Sequence, residues 1–516
     1  ATPPTWEDAA SGSEITLNSS AAIALGKFVV LETAGTVKEV SASTSIVLAF
    51  GTKSTATIGT ALLWGQQEPS VTWDPTRNVF WCTCMAQASN NIVVYIMEIS
   101  SAGVVSIAHV TTYSASGIGT YGQQASSVDT TNDKLVMYWR YSNGYMYGVA
   151  APLSGTGGTS TVGAWSSAVL QGYGQYSWTG VPVKTLYVAA TDRTYCFFTN
   201  QSQYAMFGVL DTSAATPVWT STGSWVDGVF TNQYYGWDAA LAANGNICLV
   251  GGANSSYAGI TAYSITPLAS GGTYQGYAQV QSGGIGSTQG VAVVYDASEG
   301  KMVGYGVGNH YKYYVSTWVI PATGAPNTVS TVLDVEAGLT SAFAYTSRIR
   351  PPLGYDDVNG VVVIGYRLTS TSMIQFDQVV TSATNPTMFG SAIASTMSYA
   401  NWPNFGLGQG YTGSWIGFAG LWGTDPGGYP VAAASVSTNN TKQIGIAQNA
   451  VAGAAAAVTI KTLGALDETQ TGMTVGDIYI DQNGAPSSSI GSYGTLVGRA
   501  IASDKLLITE TGSGTV

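Results

Sequence analysis

Two histidines, His109 and His310, are all the imidazole in this 516-residue chain. They fall in different strand groups, so a Ser-His-Asp or Cys-His device would rest on one of them alone, and neither stands in a nucleophile motif. Cys82 and Cys84 form a C-x-C pair on one face of one strand, which disfavours a mutual disulfide. With no second Cys pair and no nearby His, the spacing offers no zinc site. Cys82, Cys84, Cys196 and Cys248 each lie inside an apolar strand and read as buried free thiols acting as small apolar residues, which fits assembly in a reducing cytoplasm. Glycoside hydrolysis needs two carboxylates about 5 to 10 Å apart, but most acids here sit in tight turns, a poor place for a cleft. A sialidase needs clustered arginines. The seven present (Arg77, Arg140, Arg193, Arg348, Arg350, Arg367 and Arg499) include one close pair, Arg348 and Arg350, and no Asp-box pattern is apparent. No G-x-x-x-x-G-K-[ST] occurs, and the many Gly pairs lie in turns rather than between a strand and a helix. The chain is read as a non-enzyme that uses no metal and no cofactor.

What recurs is aromatic. Trp64, Tyr121, Tyr176 with Trp178, Tyr235 with Trp237, Tyr345, and Tyr399 with Trp402 each precede an apolar strand, often beside an amide such as Gln66, Gln67, Gln123, Gln124 or Gln233. Flat aromatics with oriented amides suit the faces of neutral sugars. Trp64, Tyr121, Trp178, Tyr235, Trp237, Tyr345, Tyr399 and Trp402 are therefore the candidate ligand-binding residues. The competing reading is that they anchor neighbouring sheets by packing between them.

The elements that would position these residues are announced by a repeated turn. Tyr355-Asp356-Asp357-Val358-Asn359-Gly360 leads into Val361-Val362-Val363-Ile364: a strand ends, an acid opens a turn, and a Gly or Asn closes it four residues on. Asp bonds its own local backbone and Gly accepts positive φ, so the pattern reads as a hairpin. Strong copies begin at Asp74, Asp129, Asp296 and Asp356, spaced 55, 167 and 60 residues apart. Weaker ones at Thr191-Asp192, Asn244-Gly245 and Gln409-Gly410 fill the gaps, giving seven hairpins at intervals of about 55 residues. A period of that length with several short strands per unit is the signature of a β-propeller with one four-stranded sheet per blade. Seven is the expected count, with six or eight as alternatives. The aromatics would ring one mouth of its central channel, opposite the acidic turns.

Composition agrees. Only 9% of residues are charged, Gly numbers 64, and 45% apolar with 11% aromatic content is ample for packing. The mixture favours short strands and tight turns, so the chain is all-β. A net charge of −11 with 17 scattered basic residues excludes nucleic acid as a partner and points to a neutral one, protein or sugar. No apolar stretch approaches a membrane span, so membrane insertion is not expected. The N-terminus shows no signal peptide; either the protein does not cross a membrane by the usual route or a leader has been removed.

Residues 1–13 read as an extended arm, 14–60 as short strands, 61–435 as the propeller, and 436–516 as a second set of strands. The last segment runs through Ile444-Gly445-Ile446-Ala447, Gly472-Met473-Thr474-Val475-Gly476-Asp477-Ile478-Tyr479-Ile480 and Leu496-Val497-Gly498-Arg499-Ala500. Over about 75 residues this succession resembles a small β module of tailed-bacteriophage virion proteins: tail fibres, spikes, head fibres and decoration proteins. Gly26-Lys27-Phe28-Val29-Val30 and Gly35-Thr36-Val37 look like the opening strand pair that the C-terminal segment lacks. One sandwich-like or barrel-like module is therefore expected to be split, with the propeller inserted in one of its loops.

The resemblance implies a virion appendage, assembled in the host cytoplasm, whose propeller attaches to a host-surface glycan or envelope protein. Its partners would be other virion proteins and copies of itself, with a trimer as the family's habit. The alternatives are a purely structural decoration protein, a glycan depolymerase or sialidase-like glycosidase, and a secreted bacterial lectin.

Overall fold

The computed structural model describes residues 14–19, 22–31, 36–39, 45–52, 54–55, 69–86, 91–114, 124–141, 145–171, 183–199, 205–225, 237–252, 259–282, 290–307, 313–328, 333–334, 351–356, 360–368, 373–381, 386–388, 393–398, 405–412, 415–422, 425–436, 443–480, 485–488 and 496–509. Strands dominate these residues. The one helical element among them is a single 3-10 turn, Gly157–Thr159, and none of their helices is long and apolar enough to cross a membrane.

The chain divides into two compact units, residues 48–433 and, from its two ends together, residues 1–47 with 434–516. The larger unit is a β-propeller. Its first sheet runs Ser70–Asp74, Val79–Met85, Asn91–Ile99 and Val105–Ser114, each strand antiparallel to the one before. Among the described residues six more sheets of this design open with Gln124–Asp129, Lys184–Val188, Trp237–Leu241, Gly290–Asp296, Leu353–Asp356 and Phe405–Thr412. Among the described residues each opening strand packs beside the next in sequence, and Phe405–Thr412 packs beside Ser70–Asp74, so these strands form a closed ring.

Radial stacking of sheets explains the sequence pattern. A second strand is covered on both faces by neighbouring sheets, so Val79–Met85 is buried at every position and reads as a continuous apolar run rather than an alternation. The outermost strand Val105–Ser114 meets solvent and is mostly exposed or half-buried. Between sheets the core is aromatic: Trp81, Trp139 and Trp318 are almost fully buried. Each such side chain contributes about 1.5 to 3 kcal/mol through removal from water.

The seventh sheet corrects one boundary. Ser45–Phe50 and Ser54–Thr55, read from the sequence as part of the small module, pair instead with Asp425–Val436 as outer strands of this sheet. Ser54 lies opposite Gly428 and Thr55 opposite Gly427. Three strands from Phe405 to Val436 would leave an open edge, and an early segment covers it. Thr52 then bridges to the first sheet: its N–H donates to Gly103 O at 2.8 Å and its carbonyl accepts from Val105 N at 3.2 Å.

The smaller unit is a two-sheet sandwich. One sheet has the order Glu14–Asn18, Ala457–Lys461, Gln443–Ala447, Phe28–Leu31, Val37–Glu39, mixing strands from both ends of the chain. The other contains Leu466–Asp467, Lys505–Ile508, Leu496–Ala502, Gly476–Ile480 and Pro486–Ser487. Phe28 and Ile446 of the first sheet pack with Ile478, Ala500, Leu506 and Ile508 of the second. Buried Asp467 ties the segments together. It accepts from Gln470 Nε2 at 2.6 Å, and the same amide donates to Gly26 O at 3.0 Å.

Candidate binding cavity

The acids that sequence reasoning set in turns are buried there. Asp74, Asp129, Asp296 and Asp356 are completely inaccessible to solvent. Asp74 Oδ1 accepts from the backbone of Thr76 and Arg77 at 3.0 and 3.1 Å, and Asp129 Oδ1 from Thr131 and Asn132 at 3.1 and 2.9 Å. Asp296 Oδ1 does the same for Ser298 and Glu299. The closing residues Asn78, Asp133, Gly300 and Gly360 all have φ between 56° and 67°, the left-handed conformation that Asn, Asp and Gly tolerate best.

Two of the second oxygens reach across to neighbours. Asp129 Oδ2 accepts from Thr212 Oγ1 of the following sheet, and Asp296 Oδ2 from Thr381 Oγ1 of its following sheet. Tyr187 OH donates to Asp192 Oδ1 at 2.8 Å and accepts from Thr131 Oγ1 at 2.5 Å, while Tyr355 OH accepts from Ser298 N at 2.9 Å. Asp129 and Asp296 thereby lock sheet to sheet.

The other reactive groups are equally occupied. All four thiols are free and buried. Burial pushes Cys82 and Cys248 up to about 12, and Cys84 and Cys196 are also raised. A thiol so far from ionisation is no nucleophile. His109 lies exposed on an outer strand with Nε2 3.0 Å from Thr112 Oγ1. His310 lies outside the described residues. No group of three His, Cys, Asp or Glu side chains among the described residues is placed to hold a metal.

One cavity lies on the inner side of the ring. It is lined by Ser70–Trp73, by Ser126–Val128 and Thr130, and by Lys184–Tyr187, from the opening strands of the first three sheets and the turn after the second. Its volume is about 230 Å³. Among the described residues each opening strand pairs on one edge only, which leaves its other edge with backbone N–H and C=O groups toward the centre of the ring.

The walls are hydroxyl-rich and knit together. Thr72 Oγ1 donates to Ser126 O at 2.8 Å, and Ser126 N donates to Ser70 Oγ at 2.9 Å. Thr83 Oγ1 donates to Gln124 Oε1 at 2.6 Å and lies 3.1 Å from Ser126 Oγ. Gln124, expected among the sugar-facing amides, is in fact buried in this network, because it opens the strand instead of ending the loop before it.

Lys184 Nζ lies 2.8 Å from Asp238 Oδ1 of the fourth sheet, whose Oδ2 accepts from Val293 N of the fifth at 2.9 Å. Two lining hydroxyls, Ser127 Oγ and Thr185 Oγ1, are buried with no hydrogen-bond partner among the described residues. Trp73 is half-buried, with its ring centroid 4.7 Å from that of Phe80.

Of the aromatic candidates, Trp64, Tyr121, Trp178, Tyr235, Tyr345, Tyr399 and Trp402 lie outside the described residues. Trp237 begins the first strand of the fourth sheet, opposite Gly251, and its side chain is outside what the structure describes. The cavity residues Trp73, Ser127, Lys184, Thr185 and Tyr187 were not singled out from the sequence. The available signal was polar content: SVTW, QASS and KTLY are unusually hydrophilic for strands in the middle of a fold.

No protein-family model matches the chain, and no curated protein matches it. Solved structures similar to it include a lectin from Burkholderia pseudomallei at 11% identity and TM-score 0.39, covering 65% of this chain and 100% of that one. A protein provisionally called a 6-phosphogluconolactonase, from Bacteroides uniformis, has 11% identity and TM-score 0.43 over 64% of this chain and 86% of its own. An arginine-to-alanine triple mutant of AofleA from Arthrobotrys oligospora has 10% identity and TM-score 0.37, over 66% and 90%. At such identities they assign this chain no ligand and no reaction.

Proposed function

We propose that this protein is a bacteriophage virion appendage, of tail-fibre, head-fibre or spike type, whose propeller attaches to a host-surface glycan without cleaving it. The observation that supports this best is the insertion itself. One sheet mixes Glu14–Asn18, Phe28–Leu31 and Val37–Glu39 with Gln443–Ala447 and Ala457–Lys461, and the whole propeller is strung between them. Such an arrangement suits a small module that docks to other virion proteins or to sister copies and a large one that serves recognition. The non-enzymatic part rests on chemistry: the described turn carboxylates are occupied in structural bonds, and no acid lines the cavity. A hydroxyl-rich cavity favours a sugar over an envelope protein as the receptor.

The test is binding of the full-length protein to a panel of bacterial surface polysaccharides and to the cells that carry them, with chain-length analysis of the polymer afterwards. Saturable binding with polymer length unchanged is the expected result. Shortened oligosaccharides would overturn the non-enzymatic assignment, and failure to bind any cell or polysaccharide would overturn attachment.

A further inference from the structure

Arg140 ends the second strand of the second sheet, away from the acidic turns. We infer that it is an anion-binding site, at which its two terminal nitrogens hold a carboxylate or phosphate group of a ligand. Such a site goes beyond glycan attachment and does not depend on it.

The sequence sets this cation at the end of an apolar run, Lys134-Leu135-Val136-Met137-Tyr138-Trp139-Arg140. Strand alternation puts Arg140 on the same face as Val136 and Tyr138. That face packs on the third sheet, where Val136, Tyr138 and Met146 share a core with Val183, Cys196, Phe198 and Met206. Met146 lies opposite Arg140 on the next strand, and Gln171 lies opposite Met146 on the one after. Gln171 Oε1 is already engaged by Tyr138 OH. In this setting Arg140 is 9% exposed.

No carboxylate of the two sheets comes near it. Their acids among the described residues are Asp129, Asp133, Asp192 and Asp211, and all belong to the turn end. Asp129 lies opposite Lys134, Asp133 precedes it, and Asp211 pairs with Arg193 beside Asp192. At about 3.3 Å per residue, the six steps from Lys134 set Arg140 about 20 Å from that end. Among the described residues Arg140 forms no ion pair and no hydrogen bond.

Two other arginines show what is missing. The Nε of Arg77, Arg140 and Arg193 is in each case sealed from solvent without an acceptor. In Arg77 the terminal nitrogens hold Asp133 and Asp74. In Arg193, Nη2 lies 2.7 Å from Asp211 Oδ2 and Nη1 donates to Asp192 O at 2.6 Å. In Arg140 the Nε alone is sealed off, so the terminal nitrogens keep contact with solvent and have no acceptor among the described residues. Arg140 has the posture of the other two without their acceptor.

A guanidinium stays charged at any physiological pH, and one stripped of most of its water without a counter-ion destabilises the fold. Methionine would pack there without that cost. Burial lowers the Arg140 guanidinium from its ordinary value, the reverse of Arg77, which the bond to Asp133 raises. The free edge of the fork presents two parallel N–H groups, which match two oxygens of a carboxylate or phosphate. Arg77 grips Asp133 in that way.

The experiment is calorimetric titration of the full-length protein, in low-salt buffer without chloride, with phosphate, acetate and glucuronic acid, and with glucose as the neutral control. Wild type, Arg140→Gln, Arg140→Lys and Arg140→Met are compared, with thermal melts. At least one of the three anions should bind wild type saturably. Arg140→Gln should weaken that binding at least tenfold, and Arg140→Lys, a point charge without the fork, should retain part of it. Wild type should melt higher as that anion is added, by mass action, while Arg140→Gln responds no more than it does to glucose. Without anion Arg140→Met should melt level with or above wild type, because it removes an uncompensated cation and keeps much of the stem. Equal affinity for acetate and glucuronic acid identifies a free anion as the ligand; tighter binding of glucuronic acid identifies an acidic sugar. Absence of saturable binding by all three anions, or unchanged affinity in Arg140→Gln, overturns the inference. So does an Arg140→Met variant that melts well below wild type without anion, since the chain would then compensate the charge itself.

Discussion

Arg77 of the first sheet grips Asp133 of the second with both terminal nitrogens, Nη1 to Oδ1 at 2.5 Å and Nη2 to Oδ2 at 2.7 Å. The same guanidinium reaches Asp74 Oδ2 at 3.1 Å, so one cation joins two turns of adjacent sheets. The hydrogen bond to Asp133 does most to hold Arg77 above the ordinary guanidinium value, against the opposing effect of burial. The two ends of the bridge differ in setting. The Arg77 side chain is 4% exposed and that of Asp133 is 49% exposed.

That asymmetry predicts unequal losses. Arg77→Met leaves Asp74, completely buried, without its cation and should cost about 3 kcal/mol. Asp133→Asn removes a charge half in water and should cost about 1 kcal/mol or less. Urea unfolding of both variants checks the ratio; equal losses would show that the bridge is not organised around the buried Asp74.

A latch from one sheet to the preceding one occurs twice. Thr212 donates to Asp129, and Lys134 donates to Ala214 O at 2.7 Å. In the fifth and sixth sheets Thr381 donates to Asp296, and Lys301 donates to Thr381 O at 2.8 Å. Thr212→Val and Thr381→Val keep the shape but leave a buried carboxylate short of one donor. Each should cost about 2 kcal/mol, Thr→Ser at either site should recover most of that, and the double variant should be additive because the two latches share no partner. Differential scanning calorimetry tests all three statements.

The thiols give a chemical probe of the whole ring. With Cys82 and Cys248 pushed up to about 12 and Cys84 and Cys196 raised as well, Ellman's reagent at about pH 8 should find no reactive thiol in the native protein, since only thiolate attacks. In guanidinium it should find all four. Partial native reactivity would mean that one sheet opens locally on the time scale of the assay.

How much of this was legible in the sequence follows from the range of the interactions. The Asp74-to-Asn78 turn and its repeats were readable because everything that makes them lies within five residues: an acid that bonds two local N–H groups and a closing residue that accepts positive φ. Ser45–Thr55 was assigned to the small module because its apolar pattern says strand and nothing more. Its partner Asp425–Val436 lies hundreds of residues away, and no local signal distinguishes one open edge from another. The mixing of strands from the two chain ends was suggested by likeness to a known module rather than by periodicity. The cavity escaped notice because its residues are scattered over three opening strands, and only the packing of those strands side by side brings them to one place.

The sixth sheet holds the clearest pH-dependent element. Asp377 is 5% exposed, accepts from its neighbour Gln378 N at 2.7 Å, and takes a hydrogen bond from Tyr366. Burial outweighs both bonds and raises its carboxyl above the ordinary value. The native state therefore binds this proton more tightly than the unfolded chain does. The Asp377 contribution to stability is fully present below the unfolded carboxylate value of about 3.9. It is lost as pH rises through the raised folded value and stays constant above that. Asp377→Asn, which keeps an acceptor oxygen for the Tyr366 hydroxyl, should melt close to wild type near the acid end and above wild type at neutral pH. The difference in melting temperature between the two proteins, followed across the pH range, isolates this one group from the other carboxylates that titrate with it. A difference that stays flat, or that favours wild type at neutral pH, would mean that Asp377 is ionised and well compensated where it sits.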